Sequence, residues 1–295
     1  MQTVAAGKNC VVLSADDYGL TPGVSAGIRQ LLLQKRLTAT AAMTISPFWA
    51  EEGRRLLADW GRVDADVGLH LTLTDHVPLT RMPRLARSGR LPGNGPLILM
   101  SLRGQLKDDA IRRELAGEIA AQIDAFEAVM GRVPDFMDGH HHCHQLPVIR
   151  DLVLEAFGSR IGTEGGYLRL CQEPLPAILQ RGRAVLRAAV INALGQGFAR
   201  KVRKAGLKAN DSFRGVRDFT AQEDTGDLFR RFFKGAGDRP LVMCHPGYVD
   251  DHLIGLDPLT DLREVELQYL ASDAFAMLLA ENDVALVRFK DLAAA

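Results

Sequence analysis

The sequence predicts an α/β protein built as a β/α barrel, either complete or distorted and seven-stranded, and two observations carry that expectation. Short β-branched runs alternate with helical periodicities along the 295 residues, the pattern of a parallel sheet covered by helices on both faces. Charged or polar residues also collect at the ends of the strand-like runs, near positions 16, 70, 140, 211 and 245, and in β/α barrels the loops after the strands converge on one mouth. An open doubly wound sheet is the competing topology, but there is no G-x-G-x-x-G or G-x-x-x-x-G-K-[ST] loop to hold a nucleotide at its switch point.

The elements follow in order. Residues 10–14, Cys-Val-Val-Leu-Ser, read as a buried strand that delivers Asp16 and Asp17 to its C-terminal edge. Thr21-Pro22 offers an N-cap and an N1 proline to a helix reaching about Lys35, with Val24, Ile28, Leu31 and Leu32 at helical spacing. A strand over 39–45, a helix over 49–60 and a strand over 66–71 carrying His70 repeat the unit. From Thr72 to about Gln105 the text is aperiodic and rich in Pro and Gly, which predicts a long excursion on the substrate side. A periodic helix over 108–130 leads to a strand over 133–138, and a helix spans 146–157. Further strands are expected at 209–213 and 240–245, a helix at 262–281 and a last strand at 284–287. The chain reads as one barrel domain with a basic helical insertion at about 174–208.

Composition narrows the function. Thirty-six Lys and Arg balance 36 Asp and Glu, so the global basic footprint of a nucleic-acid binder is missing. Cys10, Cys143, Cys171 and Cys244 form no C-x-x-C pair, which fits a reducing compartment better than a disulfide framework. The N-terminus reaches acidic residues before it builds an apolar core, so it is a poor secretory signal. No run approaches the ~18 apolar residues of a membrane-spanning helix. The expected address is the cytoplasm.

The densest chemical signal is Asp138-Gly-His140-His141-His142-Cys143-His144, which holds four of the eight histidines. Imidazole with carboxylate suits zinc and related divalent ions, and a three-ligand site leaves positions for water and substrate. On an extended segment alternate side chains face opposite ways, whereas on a helix His140 and His144 would share a face. Adjacent acids at 16 and 17 can divide the labour, one binding metal and the other acting as general base. His70 lies between leucines, and His245 follows an apolar run at a strand end, where it suits a general acid.

Taken in order, Ala15-Asp-Asp-Tyr-Gly19, Gly68-Leu-His-Leu-Thr-Leu73, Asp138-Gly-His-His-His-Cys-His144 and Cys244-His-Pro-Gly247 resemble the YdjC-like family of carbohydrate deacetylases. The resemblance runs from about residue 10 to 290 and implies a barrel related to polysaccharide deacetylases. It makes Asp17, His70 and His140 ligands of one divalent metal ion, zinc or magnesium, with Asp16 the base and His245 the acid that protonates the leaving amine. Asp138 would orient a ligand histidine from behind. Asp211, Arg214, Tyr18 and His142 are expected near the sugar. Ser46-Pro-Phe-Trp49, Asp211-Ser-Phe-Arg-Gly215 and the insertion are most similar to the branch associated with hopanoid biosynthesis, which implies an N-acetylglucosaminyl hopanoid as substrate.

The insertion carries its own signal. Between Pro174 and Asn210 there is no acidic residue, while Arg181, Arg183, Arg187, Arg200, Lys201, Arg203, Lys204 and Lys208 are basic. Leu179, Leu186, Val190, Leu194 and Phe198 fall on one helical side, with Arg183 and Arg187 beside them, as on an interfacial helix. The expectation is a peripheral contact of 177–206 with anionic membrane at the inner membrane surface, against a barrel-covering hairpin with a solvated basic face. The rival functions are a deacetylase of soluble chito-oligosaccharides, a phosphoesterase, and a non-catalytic glycan- or lipid-binding module.

Overall fold

Eight parallel strands follow the chain in the computed structural model, which describes residues 9–162, 165–180, 184–217, 224–235 and 237–294. They are β1 (Asn9–Tyr18), β2 (Ala39–Ala42), β3 (Asp66–Leu71), β4 (Phe136–Gly139), β5 (Tyr167–Leu168), β6 (Ser212–Arg214), β7 (Pro240–Cys244) and β8 (Val284–Leu286). The order across the sheet is β5-β4-β3-β2-β1-β7-β6, with β8 pairing the start of β1. The two edge strands meet. Leu168 bridges Ala209, and the buried Asn210 clips the seam by accepting from the Leu170 amide at 2.8 Å and donating to the Leu170 carbonyl at 2.9 Å. The seven-strand path is thereby curled into the expected barrel.

The helices are α1 (Pro22–Leu33), α2 (Trp49–Ala58), α3 (Asn94–Leu102), α4 (Asp109–Met130), α5 (Ile149–Ala156), α6 (Leu175–Gln180), α7 (Val185–Lys204), α8 (Thr225–Phe233), α9 (Asp251–Leu256), α10 (Asp261–Ala271) and α11 (Asp273–Glu281). Their starts obey local chemistry. Thr21 accepts from the Val24 amide ahead of Pro22, and Asp108 accepts from the Ala110 and Ile111 amides at the head of α4. α1 turns Val24, Ile28, Leu31 and Leu32 onto the sheet, as their spacing requires.

Where the fold departs from the sequence-based expectation, a local cause is visible. The helix expected over 262–281 breaks at Ser272, which is extended and caps α11 through the Phe275 amide. The helix expected from 146 begins at Ile149, because Val148 takes a positive φ of 72° after Pro147. The excursion over 72–105 contains α3 and is tied to α4: Gln122 exchanges hydrogen bonds with both backbone groups of Thr72, and buried Glu118 accepts from the Leu79 and Thr80 amides. The insertion forms α6 and α7, with Phe198, Ala199 and Val202 of α7 buried in the core. Arg181 and Arg183 lie outside the described residues. Among those that are described, no helix is long and apolar enough to cross a membrane.

Candidate active site

The C-terminal ends of the strands open into a cavity of ≈ 1550 Å³. β1 brings two consecutive acids to it. Alternation would send Asp16 and Asp17 to opposite faces of a regular strand, but the register between β1 and β2 shifts between Ala15 and Tyr18, and Asp17 adopts φ 70°. This irregularity re-aims a side chain, as β-bulges beside active sites do, and both carboxylates line the cavity. Tyr18 does not. Its ring is buried on the core side, where the hydroxyl donates to the Glu52 carbonyl at 2.7 Å.

β3 delivers His70 and β4 delivers Asp138 beside it. The His70 Nδ1–H donates to Asp138 Oδ1 at 2.6 Å, and Nε2 lies 3.4 Å from Asp17 Oδ1. His140 Nδ1 lies 3.2 Å from the same oxygen. Asp17, His70 and His140 therefore offer three ligand atoms within 4.8 Å of one another. Asp16, His70 and Asp138 also meet that distance, but both of those carboxylates are engaged by Arg169, at 2.6 and 2.9 Å on Asp16 and 2.8 Å on Asp138. The first group is the better candidate for a cation.

The electrostatics point the same way. Burial alone would raise the Asp17 carboxyl, but the Arg263 guanidinium and hydrogen bonds from His140 and His70 hold it well below the usual carboxylate range. Burial opposes a charge on His70, yet Asp138 and Asp16 push it up to about 10. The buried carboxylates call for positive charge at this point, which a divalent ion would supply.

The histidine cluster is neither extended nor α-helical. Residues His140–Gln145 form a 3₁₀ turn in which His141 and His142 take left-handed φ values of 52° and 58°, a conformation that costs about 1–3 kcal/mol per non-glycine residue and collects at functional sites. The four rings go to different places. His140 faces Asp17, His141 Nδ1 lies 2.9 Å from Thr74 Oγ1, and His142 Nδ1 lies 3.4 Å from Cys171 Sγ. His144 turns away, its Nε2–H donating to the Arg169 carbonyl at 2.9 Å. Burial and then Arg169 lower His144 to about 3, so it is a neutral structural group. The i, i+4 pairing of His140 with His144 is therefore not the geometry here.

His245 lines the cavity after β7, its amide donating to Glu266 Oε2 at 2.6 Å. Burial lowers its imidazole, while Asp17 and Asp16 act in the opposite direction. Asp211 and Arg214 are not brought to the cavity. Asp211 precedes β6 and accepts from the Arg239 amide at 3.0 Å, and buried Arg214 pairs with Glu173 at 3.2 Å. Both belong to the packing around β6, and neither they nor Tyr18 is among the residues that line this cavity. His76 also lines the cavity, edge-on to His140 with ring centroids 6.0 Å apart.

Sequence reasoning missed three buried arginines and their partners. Arg169 grips Asp16, Arg263 donates to Asp17 Oδ2 at 2.7 Å, and Arg217 pairs with Glu266 Oε1 at 2.7 Å. Arg169 carried a signal, because a cation inside the apolar run 167–171 requires a buried partner. Arg263 carried none, standing among Asp261, Glu264 and Glu266 like any helix surface residue.

A curled parallel β/α sheet with carboxylates and imidazoles gathered at the C-terminal strand ends defines a barrel protein with a buried candidate metal centre. The chain belongs to the YdjC-like protein family, whose model matches residues 10–281. It is similar to the carbohydrate deacetylase of Geobacillus stearothermophilus, with 27% identity over 96% of this chain and 98% of the relative. It is also similar to the chitooligosaccharide deacetylase of Enterobacter sp. (strain 638), with 29% identity over 96% and 98%. The crystal structure of an Enterococcus faecalis protein described as acting in cellobiose-phosphate cleavage shares the fold, with a TM-score of 0.73 and 19% identity over 97% of this chain and 99% of that one.

Proposed function

We propose that the chain is a metal-dependent hydrolase that removes the acetyl group from an N-acetyl amino sugar, and that the sugar is carried on a lipid, as in an N-acetylglucosaminyl hopanoid. The observation that carries the chemistry is the convergence of Asp17, His70 and His140 within 4.8 Å, beside Asp16 and His245 on the same cavity. That donor set fits one zinc or magnesium ion. When bound, the ion supplies Lewis acidity for the acetyl carbonyl and for a water molecule.

The chain's own groups divide the rest. Asp16, held by two hydrogen bonds from Arg169, is oriented to take a proton from the attacking water. His245 holds the proton that goes to the amine nitrogen as the C–N bond breaks, giving acetate and a free amino sugar. Asp138 fixes the His70 tautomer. His141 and His142 lie on the sugar side, their strained backbone supporting a substrate contact.

The lipid-linked substrate is supported by the aliphatic part of the cavity lining. Ile98, Leu186, Val190, Leu194, Leu256 and Val265 contribute aliphatic lining, and among the described residues no Phe, Tyr or Trp lines the space. The volume of ≈ 1550 Å³ exceeds the ~300–1,000 Å³ of ordinary ligand pockets. Exposed Leu179 on α6 and Leu186 on the basic α7 support peripheral contact with an anionic membrane. The soluble reading is favoured by one observation, the relative named a chitooligosaccharide deacetylase.

The test is acetate release from an N-acetylglucosaminyl hopanoid and from N,N′-diacetylchitobiose, side by side, with chelated protein reloaded with different divalent metals. Metal-dependent acetate from the lipid alone is the expected result. Release from the disaccharide alone would favour the soluble substrate, and no acetate from either would remove the deacetylase.

A further inference from the structure

Arg263 sits at the start of α10 with its side chain fully buried. One nitrogen, Nη2, donates to Asp17 Oδ2 at 2.7 Å and to Asp257 Oδ2 at 2.7 Å, and Nε donates to the Leu259 carbonyl at 3.0 Å. Its backbone is engaged too. The amide donates to the Thr260 carbonyl at 2.8 Å, and the carbonyl accepts from Gly247, two residues beyond His245, at 3.2 Å. Residues 257–260 themselves line the cavity. A single residue thus joins one cavity wall, the loop after His245 and the carboxylate of Asp17.

The consequence for Asp17 is geometric. Its Oδ1 lies near His70 Nε2 and His140 Nδ1, at 3.4 and 3.2 Å, while Oδ2 is occupied by Arg263. The carboxylate is on a left-handed backbone, so its orientation depends on outside contacts, and Arg263 is the contact that fixes which oxygen faces the imidazoles. Supporting partners of this kind commonly change metal affinity by about 10- to 100-fold.

Resting on the metal centre proposed above, we propose that Arg263 is a positioning residue: it orients Asp17 for a divalent cation and ties that orientation to the cavity wall of residues 257–260. Charge alone predicts the reverse of positioning. Arg263 is a cation beside the ligand set, so deleting it removes a repulsion and would tighten metal binding if orientation did not matter.

The experiment titrates the full-length metal-free protein with Zn²⁺ alone in competition with a chromophoric chelator, and records the thermal melt of each metal-free variant. Arg263→Met is expected to weaken zinc binding by about tenfold or more, with Arg263→Lys recovering part of the loss because it keeps one donor to Asp17. Asp257→Ala leaves the Arg263 to Asp17 bond in place but removes its second anchor. It is expected to weaken zinc binding by about threefold, a smaller share of the same supporting effect. A purely structural role would lower the melting temperature and leave the zinc affinity of the folded protein unchanged. Unchanged or tighter zinc binding in folded Arg263→Met overturns the inference. If that variant does not fold, unchanged zinc binding by Asp257→Ala overturns it instead. Failure of the wild-type chain to bind zinc and the other divalent ions would overturn the metal centre itself, a different result from either.

Discussion

The floor of the cavity and its aliphatic wall are built on opposite principles. On the floor, every charged group is buried and held by several partners: Arg169 bridges Asp16 and Asp138, Asp138 holds His70, and Arg263 holds Asp17. The aliphatic lining instead includes side chains that stand open, while Ile98 and Leu194 are partly buried against the core. Leu186 is 78% exposed and Val190 47%, although both line the cavity. Buried ions tolerate little displacement, since a lost partner leaves an uncompensated charge, whereas an aliphatic surface accepts any apolar shape at a similar gain per area. The difference assigns fixed chemistry to the floor and substrate choice to the wall.

The largest expected effects come from breaking the floor. His70→Ala or His140→Ala should remove stoichiometric metal binding and acetate release together, measured by elemental analysis and by an acetate assay on the same preparation. His144→Ala should retain the metal and instead lower the melting temperature, because that ring packs edge-on against Phe198 and donates to Arg169. Metal loss in His144→Ala with retention in His140→Ala would reverse the assignment of the cluster.

Next in size is Asp16→Asn. Its carboxylate is proposed as the base and lies outside the preferred ligand group, so turnover should fall by about a hundred- to ten-thousandfold while metal content stays unchanged. If metal is lost as well, Asp16 is a ligand and the two carboxylates of β1 have exchanged roles.

How legible these two regions were follows from how each is encoded. The strand-to-helix alternation is written in short, largely apolar runs such as 10–14 and 66–71, and residue types alone mark acids and histidines at their ends. The two-residue strand β5 is too short to carry a period, and α3 lies in text whose Pro and Gly hide a helix. Inside the histidine cluster, two consecutive left-handed residues follow neither the two-residue nor the 3.6-residue period, so periodicity could not rank the four rings. Arg169 and Arg263 act from segments distant in sequence, and only folding shows which acids they neutralise. The apolar stripe of the insertion was visible, but its division was not: Phe198 enters the core, while Leu186 and Val190 stay at the cavity.

The wall offers a smaller and more selective effect. Replacing Leu186 and Val190 together by Asp places charge where an aliphatic chain would lie. KM for the lipid-linked substrate should rise by about tenfold or more, with kcat and the disaccharide reaction nearly unchanged. An equal effect on both substrates would place the sugar, and not the lipid, against α7.

The smallest expected effect concerns the membrane, and the structure decides how it must be measured. Removing residues 177–206 would delete Phe198, Ala199 and Val202 from the core, so a truncated chain would report on folding. Leu179 is a cleaner probe, being 71% exposed on α6. If α6 and α7 rest on an anionic surface, Leu179→Glu removes one apolar contact and adds a like charge, which should weaken sedimentation with phosphatidylglycerol vesicles by about fivefold, near 1 kcal/mol. The same substitution should leave disaccharide turnover and melting temperature unchanged, because Leu179 is not among the residues that line the cavity. Unchanged sedimentation would return the basic helices to covering the barrel, and the aliphatic wall would then have to take its lipid from solution or from a carrier.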